Sequence, residues 1–465
     1  IKRKYSRALA PGSAFATILT DAAGFSLHFL RFTTAIRHKH GNQFQMANET
    51  PCFNLIHLSI SFPFFHQFLF PKIDCTTDAT RSERDPSPGS SASLHGRFMT
   101  ASALPSAPSH SRRIVQLDGL RAIAVLAVFA QHALKAPLWM GVDLFFVLSG
   151  FLITGILLER KARQQSYFGY FYARRARRIL PPYLLLMVVS SILFGFGWAQ
   201  HWQWYAFFAT NIGDALNQSG HDSLNVLWSL AVEEQFYIFW PFVILLLPER
   251  VLGYVAAALI VLVPVLRAVA TPWFDSFWPI YYLTPFRMDL LAAGALLAVA
   301  VRRDRNALEP FKGLAVLGFF AALAVLAWLH LHYPRFRAAN TPLSNAGLYS
   351  VSLVLCTSVV VIALQSKGIV KRLLCNPVLV YIGTISYTIY LIHLSVLYTL
   401  WPLHLNRYVT AALALAITLA YASITWFAFE KRLIFGAAGR GAAGKDHASA
   451  GSMTGGASQA PQSRA

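Results

Sequence analysis

The chain has 465 residues, of which 55% are hydrophobic and 13% charged, and 40 Lys and Arg against 20 Asp and Glu leave a formal charge of +20. Soluble domains carry about 25% charged residues, disordered basic tails are poor in apolar ones, and 35 Phe with 11 Trp need an apolar home. The composition therefore argues against a soluble enzyme, a basic tail and a nucleic-acid binder. It fits a multi-span membrane protein whose Lys and Arg gather on one side. Cys52, Cys75, Cys356 and Cys375 form no CxxC and no regular spacing, so neither a disulfide framework nor a metal site is indicated.

Residues 1–98 mix His and Phe without a sustained period, and the sequence starts at Ile1. They read as upstream sequence translated from a wrong start or a fragment boundary, with an extra span or a cleaved targeting segment as alternatives. Met99 opens a short Ser/Ala/Pro stretch, 99–113, that is expected to be a cytoplasmic N-terminus. Residues 114–433 form the membrane domain, and 434–465 turn Gly/Ala/Ser-rich, which predicts a flexible tail with no catalytic domain in it.

A bilayer-spanning helix needs about 20 mostly apolar residues. Ten stretches qualify: 118–135, 140–158, 179–198, 227–247, 251–270, 281–301, 313–331, 347–366, 378–400 and 408–429. Continuous apolar runs predict helices; a barrel needs alternating segments. The fold expected is thus an all-α integral membrane protein of about ten transmembrane helices. Loops 159–178, 248–250, 302–312 and 367–377 together carry 15 Lys and Arg, whereas those on the other side carry 3. The basic set is expected to face the cytoplasm, which puts both termini inside. The outer segment 199–226 opens with a Trp/Tyr cluster suited to the membrane interface.

Ionisable groups inside spans are costly and commonly functional. Arg121 and His132 are eleven residues apart, about three turns, and share one face of the first span. Either Arg121 snorkels and His132 bonds a neighbour, or the face lines a polar cavity with His132 as general base. Asp143, near the outer end of the second span, could orient a His or Arg of the first, and Ser149-Gly150 permits close helix approach. Four Arg in five residues, Arg174, Arg175, Arg177 and Arg178, offer forks for phosphate oxygens or a topology signal against anionic lipid. Pro181-Pro182 follows them and removes two backbone donors. In the fourth span Ser229, Glu233 and Tyr237 share a face at i, i+4 and i+8. Glu233 there is either an interhelix ion pair or part of a site. In the sixth span Arg287 and Asp289 are two apart and cannot face each other, so each is expected to pair with another span. In the ninth, Tyr390 and His393 share a face towards the outer side.

Taken in order, these strings resemble the acyltransferase 3 family of integral-membrane O-acyltransferases. Leu117-Asp118-Gly119-Leu120-Arg121 running to His132 is similar to its Arg, ten residues, His pattern, with Ala122 where Gly is more usual. Gly141 to Phe151 resembles the second-span signature, and Arg174-Arg175, two residues, Arg178-Ile179-Leu180-Pro181 the arginine motif. Trp228-Ser229-Leu230 with Glu233 and Phe236-Tyr237 resembles the fourth-span motif, and Ser386-Tyr387 through Tyr390-Leu391 to His393 the late His motif. The resemblance covers about 114 to 433 and implies transfer of an acyl group, commonly acetyl. The donor would be cytoplasmic acyl-CoA and the acceptor a hydroxyl of an extracytoplasmic or lipid-linked glycan or similar molecule, in the cytoplasmic membrane, with no bound cofactor. It implies Arg175 and Arg178 on the donor phosphates and Arg121 guiding the donor. It implies His132 as the base or a covalent relay, with Glu233 or Asp143 fixing the imidazole tautomer. A proton-coupled multi-span transporter is the competing reading, because buried Arg, Asp, Glu and His suit transport as well. The absence of an internal repeat and the five ordered strings count against it.

Overall fold

The computed structural model describes residues 114–434 apart from Gln165 and Arg305; the upstream segment 1–98, the stretch 99–113 and the tail beyond 434 lie outside the described residues. Among the described residues every regular element is helical. The long helices are α1 (Val115–Leu134), α2 (Met140–Ala162) and α3 (Phe168–Phe194). After the short α4 (Trp202–Ala206) and α5 (Thr210–Ala215) come α6 (Leu227–Leu246), α7 (Glu249–Ala270), the short α8 (Trp278–Tyr282) and α9 (Met288–Arg303). The chain continues through α10 (Lys312–His332), α11 (Pro342–Leu364), α12 (Gly368–Leu374), α13 (Pro377–Thr384), α14 (Ser386–Leu400) and α15 (Arg407–Thr425).

Eight helical stretches are long and apolar enough to cross a membrane, or nine if α13 and α14, bent by 72°, make one broken span. Large apolar side chains stay exposed along them, Ile192 at 78% and Leu331 at 75%. Such continuous apolar surface is stable only against lipid. The tight connection between α1 and α2 is closed at Lys135, which takes the left-handed conformation (φ 59°) and returns its N–H to the Ala130 carbonyl.

Two of the ten expected spans differ in build. The sixth is divided: α8, a 3-10 turn at Thr284–Phe286, and then α9 of 16 residues. At 1.5 Å per residue α9 is about 24 Å long, short of the ~30 Å hydrocarbon layer. It does not meet lipid on most of its surface, since eleven of its residues are buried among its neighbours. The ninth is broken at Ile385, where Gly383 approaches the Asp118 carbonyl so closely that no Cβ fits. The hydroxyls of Thr384 and Ser386 donate to the Val380 (2.8 Å) and Gly383 (2.9 Å) carbonyls there. The break therefore leaves fewer backbone acceptors unsatisfied.

α9 lies against α2 along a seam of small residues. A Cβ at Gly150 would collide with the Leu291 carbonyl, and one at Gly294 with the Val147 carbonyl. The two glycines thus let the two backbones meet directly. The segment 199–226 is tied to α6 by Gln235, whose amide donates to the Phe208 carbonyl (3.1 Å) and to Asn211 Oδ1 (2.9 Å) and whose carbonyl accepts from Thr284. Within that segment, outside the spans, partial burial pushes the Asp214 carboxyl up to about 7, with the Asp222 charge adding to the rise and a Ser219 hydrogen bond opposing it.

Replacing Gly150 or Gly294 with Leu should force the α2–α9 seam apart, at a cost of about 1–3 kcal/mol or more. The expected result is a lower melting temperature and less monodisperse protein in detergent, with Gly155→Leu, which meets open space, as the tolerant control. For Asp214 the folded value lies above the unfolded value of about 4, so its stabilisation is complete below pH ~4 and is lost as pH rises through about 7. The melting temperature should therefore fall between about pH 4 and 7, and Asp214→Asn should flatten that fall; equal slopes in both proteins would refute the assignment.

Candidate active site

A cavity of about 210 Å³ opens between α1, α2, α3, α6 and α14. Its polar wall holds Arg121, Arg174, Arg175 and Arg178 with Glu233 as the one carboxylate. The arginines come together because α3 starts earlier than the apolar run suggests. Arg174–Arg178 lie inside the helix, so Arg174 and Arg178 (i, i+4) and Arg175 and Arg178 (i, i+3) share a face. Arg177 falls on the far side and is exposed. The string was expected in a loop; helical spacing is what aims three of its four arginines at one point. Pro181 and Pro182 sit one turn further inside α3 and remove the N–H groups that would bond the Arg177 and Arg178 carbonyls.

Three of the four cavity arginines are placed by a neighbour. Arg121 Nε donates to Ser386 Oγ at 3.3 Å, Arg174 donates to the Tyr170 hydroxyl at 2.8 Å, and the Arg175 guanidinium lies 5.1 Å from the Tyr237 ring centroid. Glu233 is held on both oxygens: Ser149 Oγ donates to it at 2.6 Å and the Tyr237 hydroxyl at 3.0 Å. The face Ser229–Glu233–Tyr237 points into the cavity as its spacing predicts. Ser229 and Tyr390 share a hydrogen bond at 2.5 Å, and Phe145 meets the Tyr390 ring edge-on at 6.1 Å. This layer closes the cavity wall.

His132 lies beyond that layer, so only Arg121 of the expected α1 pair lines the cavity. Its partner is His393. The two rings are 5.1 Å apart, with His393 Nε2 3.1 Å from His132 Nδ1. Helix α14 sets the order of the site: Ser386 at Arg121, Tyr390 at Ser229 and His393 at His132. From Ser386 to His393 is seven residues, a rise of about 10 Å.

Neither carboxylate expected to orient His132 touches it. Glu233 is committed to Ser149 and Tyr237. Asp143 faces the opposite side of α2, where it pairs with Arg287 and accepts from Ser352 Oγ at 2.6 Å. This corrects the sequence expectation, and the reason is rotational: Asp143 and Ser149 are six residues apart, about 240° around the helix. Arg287 and Asp289 do pair with other spans, Arg287 with Asp143 of α2 and Asp289 with Arg267 of α7. All four side chains are fully buried. The Arg287 guanidinium is further enclosed by the rings of Tyr349 (4.9 Å), Tyr281 (5.0 Å), Phe146 (5.7 Å) and Trp228 (5.9 Å). This is a structural clamp between α2, α7, α9 and α11.

Sequence reasoning missed Arg267, Arg174 as a cavity residue, and the role of Ser386. Arg267 carried a usable signal, since it sits at the outer end of a span in a chain that keeps basic residues off that side. Ser386 carried none, because a serine at a helix start is ordinarily a backbone partner. Among the described residues no group of His, Cys, Asp and Glu could hold a metal ion.

An acyltransferase domain family model, acyltransferase 3, matches residues 114–429. The chain is 31% identical over 319 residues to the peptidoglycan O-acetyltransferase OatA of Listeria monocytogenes, covering 62% of this chain and 50% of that protein. It is 30% identical over 313 residues to a putative O-acetyltransferase of Staphylococcus aureus, covering 62% and 51%. To the O-acetyltransferase OatA of Staphylococcus aureus it is 26% identical over 325 residues, again 62% and 51%. The chain thus spans about half the length of these curated relatives. No solved structure matches it. With the family model covering well over half of its length, the chain belongs to the acyltransferase 3 family.

Proposed function

We propose that this protein is a membrane O-acyltransferase that moves an acyl group, commonly acetyl, from acyl-CoA to a hydroxyl of an extracytoplasmic or lipid-linked glycan. The observation that carries the reading is the polarity of the site along α14: four arginines and one carboxylate at one end, a histidine pair about 10 Å away at the other. Converging guanidinium groups repel one another, and a multiply charged anion relieves that repulsion while using their bidentate donors. The phosphates of coenzyme A are such an anion. The arginine end faces the side to which the basic loops assign the cytoplasm, where acyl-CoA is found.

In this reading Arg175 and Arg178 hold donor phosphates and Arg121, fixed on Ser386, guides the donor inward. Glu233, Tyr237 and Ser149 form a polar collar midway, able to hydrogen-bond the amides of an extended donor arm. His132 receives the proton of the acceptor hydroxyl as the acyl carbon is attacked. The names of the relatives make a cell-wall glycan the first acceptor to test. The cytoplasmic membrane is the location, with acyl-CoA, lipid and glycan as partners.

Purified protein in liposomes should transfer radiolabel from acetyl-CoA to a glycan acceptor without any ion gradient, which a proton-coupled transporter would not do. His132→Ala should lower the rate by about 10²–10⁴-fold; near-normal transfer would refute its role. Arg178→Ala should weaken donor binding by roughly 10-fold or more, and Arg178→Lys should restore only part of it because the fork is lost. Mass spectrometry of surface glycans from strains with and without the gene should show loss of O-acyl groups.

A further inference from the structure

The partners of the two histidines determine where their protons sit. His393 Nδ1 is 2.7 Å from the Tyr390 carbonyl. His132 Nδ1 is 3.0 Å from the Val128 carbonyl one turn back on its own helix. A carbonyl oxygen only accepts, so both Nδ1 atoms carry hydrogen. His393 Nε2 then has a free lone pair, and it lies 3.1 Å from His132 Nδ1, in place to share that hydrogen with Val128. His393 is neutral in this state, because a second proton on it would set N–H against N–H. In the neutral form of His132, Nε2 is then the unprotonated, basic atom of the ring. No carboxylate is hydrogen-bonded to either ring among the described residues. His393 is fully buried while His132 is half-buried.

We propose that His393 is a positioning residue: its bare Nε2 accepts the Nδ1 hydrogen of His132 and fixes that ring with Nε2 as the base, the orienting role an acidic residue holds in a carboxylate-based triad. The proposal rests on the acyltransferase reading above. As the acceptor oxygen bonds to the acyl carbon, its O–H bond breaks and an N–H bond forms at His132 Nε2. The imidazolium formed at His132 keeps its Nδ1 hydrogen, shared between His393 Nε2 and the Val128 carbonyl. The carbon–sulfur bond breaks with its electron pair on the coenzyme thiolate. That hydrogen then passes from His132 Nε2 to the thiolate and restores the neutral ring. No oxidant or further reactant is needed. The arrangement keeps the negative charge of a carboxylate away from the acceptor side, which a buried Asp or Glu beside His132 would not.

The test combines spectroscopy with kinetics on the full chain in lipid bilayers. In protein labelled with ¹⁵N-histidine, His132 and His393 should both be protonated on Nδ1 and bare on Nε2 at neutral pH, with coupling between His132 Nδ1 and His393 Nε2. Protonation of His132 on Nε2 overturns the proposal, whatever the protein transfers. His393→Phe should lower kcat by about 10-fold or more with the donor KM unchanged. His393→Gln offers an amide oxygen that accepts the Nδ1 hydrogen but cannot take it. It should keep the His132 tautomer in the spectrum and restore most of the rate lost in the Phe variant. A His393→Gln enzyme that keeps the tautomer yet stays as slow as the Phe variant overturns the positioning role. If wild-type protein transfers no acyl group, the proposed function fails, and the ¹⁵N spectrum still decides the proton arrangement by itself.

Discussion

The constraint on which this structure depends is the cost of taking charge out of water. A bare ion in a hydrocarbon-like interior is expensive, so a buried charge is matched by the protein, matched by a ligand, or given up. The bundle contains both matched and outnumbered charge. Asp143 with Arg287 and Asp289 with Arg267 are fully buried pairs of opposite sign, boxed by aromatic rings. At the cavity, four arginine side chains share a wall with the single carboxylate Glu233. The first set holds helices together. The second leaves more positive than negative charge on the cavity wall, and the proposed anionic donor would answer that imbalance.

The pairs also explain why the short helix α9 can sit in a membrane protein. It is too short to span by itself, and its N-terminal turn carries Asp289 beside Arg287. Those charges lock α9 to α2 and α7, and Gly150 and Gly294 let it lie close enough to α2 to be shielded from lipid. The clamp stands next to the cavity wall at Phe146 and Ser149. It holds α2 in the rotation that aims Ser149 at Glu233 while Asp143 faces away. One helix thereby serves two roles on two faces, and the carboxylate with the stronger sequence signal for chemistry turns out to be part of the scaffold.

Helix α14 then organises the chemistry. It begins at a break, so its first turn can place Ser386 against Arg121, and its later turns carry Tyr390 and His393 to the level of Ser229 and His132. Tyr390 and Phe145 line the cavity, and neither His132 nor His393 does. Under the proposed function the acyl end of the donor would have to pass or displace this layer to reach the histidines. The layer separates an arginine-lined compartment from the histidine pair.

The sequence by itself determined the membrane character, the run of apolar helices and most of the polar residues that matter. These are properties of composition and of spacing along one helix: charges are rare in apolar runs, and i, i+4 neighbours share a face whatever surrounds them. Ser229, Glu233 and Tyr237 were legible for that reason, and so was the need of Arg287 and Asp289 for separate partners. The tertiary structure alone decided which faces meet. It assigned Asp143 to Arg287 instead of His132, gave His132 a histidine for a partner, moved the arginine string from loop to helix, and divided the sixth span. Each of these depends on the rotation and depth of one helix against another, set by glycine contacts and buried ion pairs between residues far apart in the chain, and periodicity within a single helix carries no record of that.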